Sequence, residues 1–216
     1  MFKRKLTIND FPLIVINLIP LYGVWFEGWD ASRIFLVYCL ETVIIGLVNV
    51  LRMAGVTLFY RSKDKWYNNG SFTMQSGWFF IFFFIVHYGF FVFVQTQIFF
   101  GVSGIDNDIG FAVYRKLPQL LGPEGRLLLF IFIAAYCWQM VKGFYSGEYK
   151  EMSLMRMMFQ PYARIFVQQV IVILGGIFLG FGAGKIFIVI LVAVKLWADL
   201  YLDPDRLLRQ AEINKK

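Results

Sequence analysis

Along the chain, apolar residues neither alternate with polar ones nor scatter between them. They come in blocks near the length of a bilayer crossing, separated by short charged segments. Six blocks stand out, at residues 11–26, 34–53, 78–100, 126–141, 162–181 and 186–202. A β-barrel would alternate apolar and polar residues in short strands, and the Phe-rich run 78–94 does not alternate. The pattern predicts an all-α, polytopic transmembrane helical bundle of about six spans forming a single transmembrane domain, 1–216.

The punctuation between blocks supports the same reading. Asn9 or Asp10 can cap the first span and Pro12 falls in its first turn, while Asn17 and Pro20 predict a kink. Trp25 and Trp29 flank the short link to the second span as interface anchors. The second block can extend as an amphipathic segment to Tyr60. The stretch 61–77 is polar and basic, with a turn signal at Asn68-Asn69-Gly70. A loop at 101–123 is expected to hold a short surface helix around 109–121. Residues 142–160 carry Met152, Met155, Met157 and Met158, which suits a helix lying in the interface or a partner groove. Gly182-Ala183-Gly184 predicts a tight turn, and Pro204 ends the regular apolar pattern.

Composition sharpens this picture. Hydrophobic residues make up 59% of the 216 positions, with 25 Phe, which removes an ordinary soluble domain from consideration. The formal net charge of +7 would suit nucleic acid in a soluble protein. In a membrane protein it reads instead as cytoplasmic Lys/Arg bias and attraction to anionic headgroups, so no nucleic-acid partner is expected. Fifteen of the 21 Lys and Arg fall on the side of the N-terminus, five on the other, and Lys195 lies inside a span. Both termini are therefore expected in the cytoplasm, in a multi-pass protein of a bacterial inner membrane. No cleavable signal peptide is read at the start. Cys39 and Cys137 lie in apolar spans without a metal-ligand neighbour and read as small buried hydrophobes.

The exceptions inside the spans are the candidate chemistry. Asn17, Glu41, His87 and Lys195 fall near the middle of four different spans, and Asp199 lies one turn from Lys195. Asn49, Arg52, Arg164, Gln168 and Gln169 form a second polar tier towards the cytoplasm. A charge at mid-membrane costs about 2.5–3.5 kcal/mol or more, so these groups should face inwards and meet. The most economical pairing is Glu41 with Lys195, leaving Asp199 for Arg52 or Arg164, with spans one, two, three and six around the site. A buried ion pair can equally serve only to fix helix register.

Other strings carry less. Gly101-Val-Ser-Gly104 matches the G-x-S-G of rhomboid proteases, but Ser103 heads a loop and His87 precedes it, so no base is positioned. Asp106-Asn-Asp108-Ile-Gly110 lacks the downstream Glu of a calcium loop. One histidine is too few for a metal or haem site, and neither metal nor cofactor is expected. The glycines at 175, 176, 180, 182 and 184 read as small residues that permit close helix packing.

Several of these residues, taken in order, resemble a known family. They are Asn17-Leu-Ile-Pro-Leu-Tyr-Gly-Val24 with Gly28-Trp29, Glu41 with Gly46 and Asn49, His87-Tyr-Gly89, Pro161-Tyr-Ala-Arg164 with Gly175-Gly176, and Lys195 to Asp199. The chain is similar over nearly its whole length to an uncharacterised family of prokaryotic integral membrane proteins, a domain of unknown function. The resemblance implies further histidines in some members near Gln95 and Gln169 of this chain, so a shared metal site is not carried over. It brings architecture without an activity.

Three functions remain. The first is translocation of a small ion or solute, or proton relay, through a polar mid-membrane site. Histidine is the one side chain there that titrates near neutral pH without help. The second is a non-catalytic accessory subunit of an inner-membrane complex, with a second copy or another chain as partner within the lipid bilayer. The third, an enzyme acting on a lipid or quinone, lacks a nucleophile and a metal set.

Overall fold

The computed structural model describes residues 11–68, 71–103, 110 and 112–201. It is 84% helical. In chain order the elements are α1 (Phe11–Phe26), α2 (Ala31–Phe59), the strands β1 (Lys63–Asn68) and β2 (Ser71–Ser76), α3 (Gly77–Ser103), α4 (Ala112–Leu120), α5 (Gly122–Tyr145), α6 (Glu148–Glu151), α7 (Leu154–Gly180) and α8 (Gly184–Tyr201). Four of them, α2, α3, α5 and α7, are long and apolar enough to cross a bilayer. By length and composition these helices mark a membrane protein.

Three boundaries differ from the sequence expectation. The α2 helix runs unbroken to Phe59, so the extension to Tyr60 belongs to the span itself. The polar stretch 61–77, which the sequence marked only by a turn signal, forms an antiparallel hairpin, with Lys63 opposite Ser76 and Trp66 opposite Thr73. The α7 helix begins at Leu154 and passes through Pro161, so the Met-rich segment enters the long helix rather than lying apart from it. The short surface helix is present as α4, and the turn at Gly182 has a positive φ of 72°, which glycine adopts without a Cβ penalty. Most of the Asp106–Gly110 string lies outside the described residues.

The chain divides into two compact units. The first comprises residues 1–41, 93–132 and 166–203. Its centre is the opening half of α2, where every residue from Ile34 to Glu41 is buried. A helix that is apolar on all faces needs neighbours on all faces, and here they are supplied. Phe35 meets Phe99 of α3 and Phe187 of α8 edge-on, each at 5.1 Å between ring centroids. Tyr38 meets Phe132 of α5 at 5.7 Å. Gly175 of α7 lies so close to Phe35 and Phe187 that an added Cβ would overlap both rings. The α2 start is capped by Asp30, whose Oδ1 accepts from the backbone N–H of Ser32 at 2.7 Å and of Arg33 at 3.2 Å. Within this unit α1 packs against α8.

The second unit comprises residues 42–92, 133–165 and 204–216. Its core joins Met53 and Val56 of α2, Phe80, Phe84 and Tyr88 of α3, Tyr149 of α6, and Met152, Leu154, Met157 and Met158. The methionines are thus interior packing, not an interface patch: their flexible thioethers fill the gaps that ring edges leave. The hairpin is tied to α7 by one carboxylate. Asp64 Oδ2 accepts from the backbone N–H of Leu154 at 2.7 Å, at the helix N-terminus, and from Arg61 Nη1 at 3.3 Å. Arg61 also donates to the Lys150 carbonyl. The polar hairpin between two apolar helices thereby acquires a fixed place.

Candidate polar site on the central helix

The first unit contains an ion pair where the chain is otherwise apolar. Glu41 follows seven buried hydrophobic residues on α2 and is itself only 1% exposed. Lys195 sits eleven residues into α8. Their Oε1 and Nζ atoms are 3.0 Å apart, with side-chain exposures of 2% and 14%. The lysine ammonium also lies over two rings, 5.7 Å from the centroid of Tyr38 and 5.6 Å from that of Phe132. Both geometries fall within the range in which the negative face of a ring attracts a cation.

Local sequence explains the convergence. Tyr38 and Glu41 are three residues apart on α2 and so share a face. Phe132 meets Tyr38 from α5. The Gln168 side chain of α7 donates to the Tyr38 backbone carbonyl. Four helices thus contribute to one small polar centre, and each contribution satisfies or screens a group that lipid could not.

The other sequence-chosen residues divide by unit. Asn17, in the first unit, is 2% exposed on α1, and Gln168 and Gln169 are half-buried on α7. Gln95 was noticed only by family resemblance, yet it is 1% exposed on α3 and neither amide atom has a hydrogen-bond partner. Asn49 and Arg52 belong to the second unit. Asn49 Nδ2 donates to the Met157 carbonyl at 3.0 Å, and Arg52 Nη2 donates to Gln160 Oε1 at 2.9 Å. The side chains of Arg164 and Asp199 lie outside those described, and with them the expected Asp199 pairing.

His87 corrects the inward-facing expectation. It is exposed on α3 in the second unit, stacked on Phe83 at 5.3 Å between centroids, and its Nδ1 shares a 2.7 Å hydrogen bond with Tyr162 Oη. The physical reason lies in α3 itself. The helix is apolar all round, so depth along the axis could be read from spacing but facing could not. Among the described residues no group of three or more His, Cys, Asp or Glu comes together that could hold a metal ion.

No curated protein and no solved structure matches the chain. One family model matches, over residues 1–215. The chain belongs to that family, DUF6498, a family of unknown function.

Proposed function

We propose that this chain is a six-span, multi-pass protein of a bacterial inner membrane, with both termini in the cytoplasm, that moves a small ion or relays protons through the Glu41–Lys195 centre. The observation that carries the reading is the 3.0 Å pair itself, held between two rings in an otherwise apolar surround. Ionisable residues inside a span are costly and concentrate where ions or protons pass. The Lys and Arg asymmetry supplies the orientation, and the six apolar blocks supply the span count.

The chemistry follows from low dielectric. A carboxylate and an ammonium in contact cancel each other's charge, so the closed site presents no net charge to the membrane. A cation arriving at Glu41 competes with Lys195 and frees its ammonium. A proton arriving at Glu41 does the same by neutralising the carboxylate. Either event turns one stable pair into a displaced, mobile charge, which is the elementary step of a coupled pathway. The test is flux in proteoliposomes with the single and double variants Glu41→Gln and Lys195→Met. Loss of flux in each single variant and in the double supports the pathway. Full flux in the folded double variant removes it.

A second reading, an accessory subunit, is favoured by one observation. His87 is an exposed polar group on a helix whose other exposed side chains include Trp78, Phe79, Phe82, Ile85, Val86, Phe90 and Phe91. Tyr162 meets Nδ1 of the His87 ring, and the other ring nitrogen, on an apolar face, is better served by a group from another protein than by lipid. Copurification of a stoichiometric partner from native membranes, lost in His87→Phe, would support this reading. A monodisperse lone chain with unchanged behaviour in that variant would oppose it.

A further inference from the structure

The second unit holds a cavity of about 130 Å³ lined by Ile45, Val48, Asn49, Arg52, Tyr136, Gln139, Gln160 and Pro161. It is separate from the Glu41–Lys195 centre, none of whose residues line it. Its polar lining is one guanidinium, three amides and a phenol, and no carboxylate lines it among the described residues. Arg52 is held in place from several sides. Nη2 donates to Gln160 Oε1 at 2.9 Å and approaches Met152 Sδ at 3.9 Å, and the guanidinium carbon stands 4.6 Å over the Tyr149 ring. Asn49 is fixed as well. Its Nδ2 is committed to the Met157 carbonyl, which orients Oδ1, and Oδ1 has no hydrogen-bond partner although Asn49 is 1% exposed. A buried acceptor left open in a polar cavity marks a place where a donor belongs.

We infer that this cavity binds an oxyanion that carries its own proton: a hydrogen phosphate, either free or as the phosphate monoester headgroup of a lipid. The argument is one of matching groups. A guanidinium prefers a planar or tetrahedral oxyanion and can meet it with two N–H donors. The open Oδ1 of Asn49 needs an O–H or N–H donor. A carboxylate offers acceptors alone, whereas a protonated phosphate offers P–O⁻ to Arg52 and P–O–H to Asn49. The Gln139 amide, which also lines the cavity, supplies a further donor. The volume corresponds to roughly four waters at ~30 Å³ each, enough for a tetrahedral oxyanion and an attendant water. Lys and Arg outnumber Asp and Glu among the described residues of the same unit, which favours anions near it.

Gln139 makes the test clean, because it lines the cavity yet is exposed, so changing its charge spares the core. The full chain is placed in phosphatidylcholine nanodiscs and titrated with inorganic phosphate by calorimetry. In parallel, native mass spectrometry follows retention of phosphatidic acid against phosphatidylcholine. Gln139→Glu is expected to weaken binding tenfold or more, Gln139→Lys to strengthen it several-fold, and Arg52→Gln to abolish it. Binding of inorganic phosphate that follows this series supports a site for the free ion. Retention of phosphatidic acid alone that follows it supports a lipid headgroup. Should Arg52→Gln fail to fold, the two Gln139 variants still decide. The inference is overturned if neither ligand binds the wild-type chain at millimolar concentration, or if binding ignores the charge at position 139.

Discussion

The two units solve the same problem in opposite ways. Each must place a cation among helices that are otherwise apolar. In the first, Lys195 meets a carboxylate at 3.0 Å and the charges cancel at the contact. In the second, Arg52 is bedded on an amide oxygen, a thioether and a phenol ring. The first arrangement sets two opposite charges against each other. The second sets a guanidinium against an amide oxygen, a thioether and a ring, with a cavity and an open acceptor beside it. The residue types explain the division. A guanidinium is delocalised and weakly hydrated, so neutral polar groups and ring faces hold it well, whereas an ammonium is a compact charge that demands a counter-charge when buried. The comparison teaches that a buried basic residue is informative chiefly through what it has been given as company.

The largest expected effect would break the first half of that contrast. Glu41→Gln or Lys195→Met alone strands a charge in an apolar surround, and each should destabilise the fold by about 3–5 kcal/mol. The double variant should recover most of that loss, because it removes both charges together. Unfolding in mixed detergent across the four proteins gives the coupling energy directly. Additive losses, with no recovery in the double, would mean that the two side chains do not depend on each other.

An intermediate effect would test whether close packing supports both units alike. A Cβ at Gly175 would overlap Phe35 and Phe187 in the first unit, and one at Gly46 would come within 2.6 Å of Tyr88 Cε1 in the second. Both glycines are interior helix positions, where alanine should otherwise help by up to about 1 kcal/mol. Overlap with rigid rings should reverse the sign, at a cost of about 1–3 kcal/mol for each Gly→Ala change. Gly89 is the internal control, since nothing lies within 4 Å of its added Cβ. Gly89→Ala should leave the melting temperature unchanged or raise it. Equal behaviour of all three in thermal unfolding would mean that the helices separate easily at the two tight contacts.

How much of this was legible in the sequence follows from the same physics. The Glu41–Lys195 pair was readable because an apolar span offers a carboxylate very few partners, so scarcity alone singles out the lysine. The facing of His87 was not, because α3 has no polar side against which to orient it. The hairpin was visible only as a turn signal. Its strands read KDKWYN and SFTMQS, too short and too polar to stand out as strands. What settles it is distant, the Asp64 carboxylate that caps α7 at Leu154. Methionine suits a groove, an interface and a core equally, so the fate of Met152, Met157 and Met158 depended on what folded around them. The Arg52 cavity needed three helices to be in place before it existed at all.

The smallest effect belongs to the second unit and depends on pH. Tyr149 is buried against the Arg52 guanidinium, and burial pushes its phenol above the ordinary value of 10 even though the nearby cation pulls the other way. Glu148 adds to the upward push. The folded chain therefore holds this proton more tightly than the unfolded chain does. Stability from this group is fully present below pH of about 10 and is lost as pH rises through the folded value. The measurable quantity is the difference in unfolding midpoint between the wild-type chain and Tyr149→Phe, which subtracts the other tyrosines and the lysines. That difference should be flat up to pH of about 10 and then shift in favour of the phenylalanine variant. A difference that stays flat through alkaline pH would mean that the phenol ionises as easily in the fold as outside it. The second unit would then hold Arg52 next to an ionisable partner rather than a neutral ring, and the contrast between the two units would collapse at high pH.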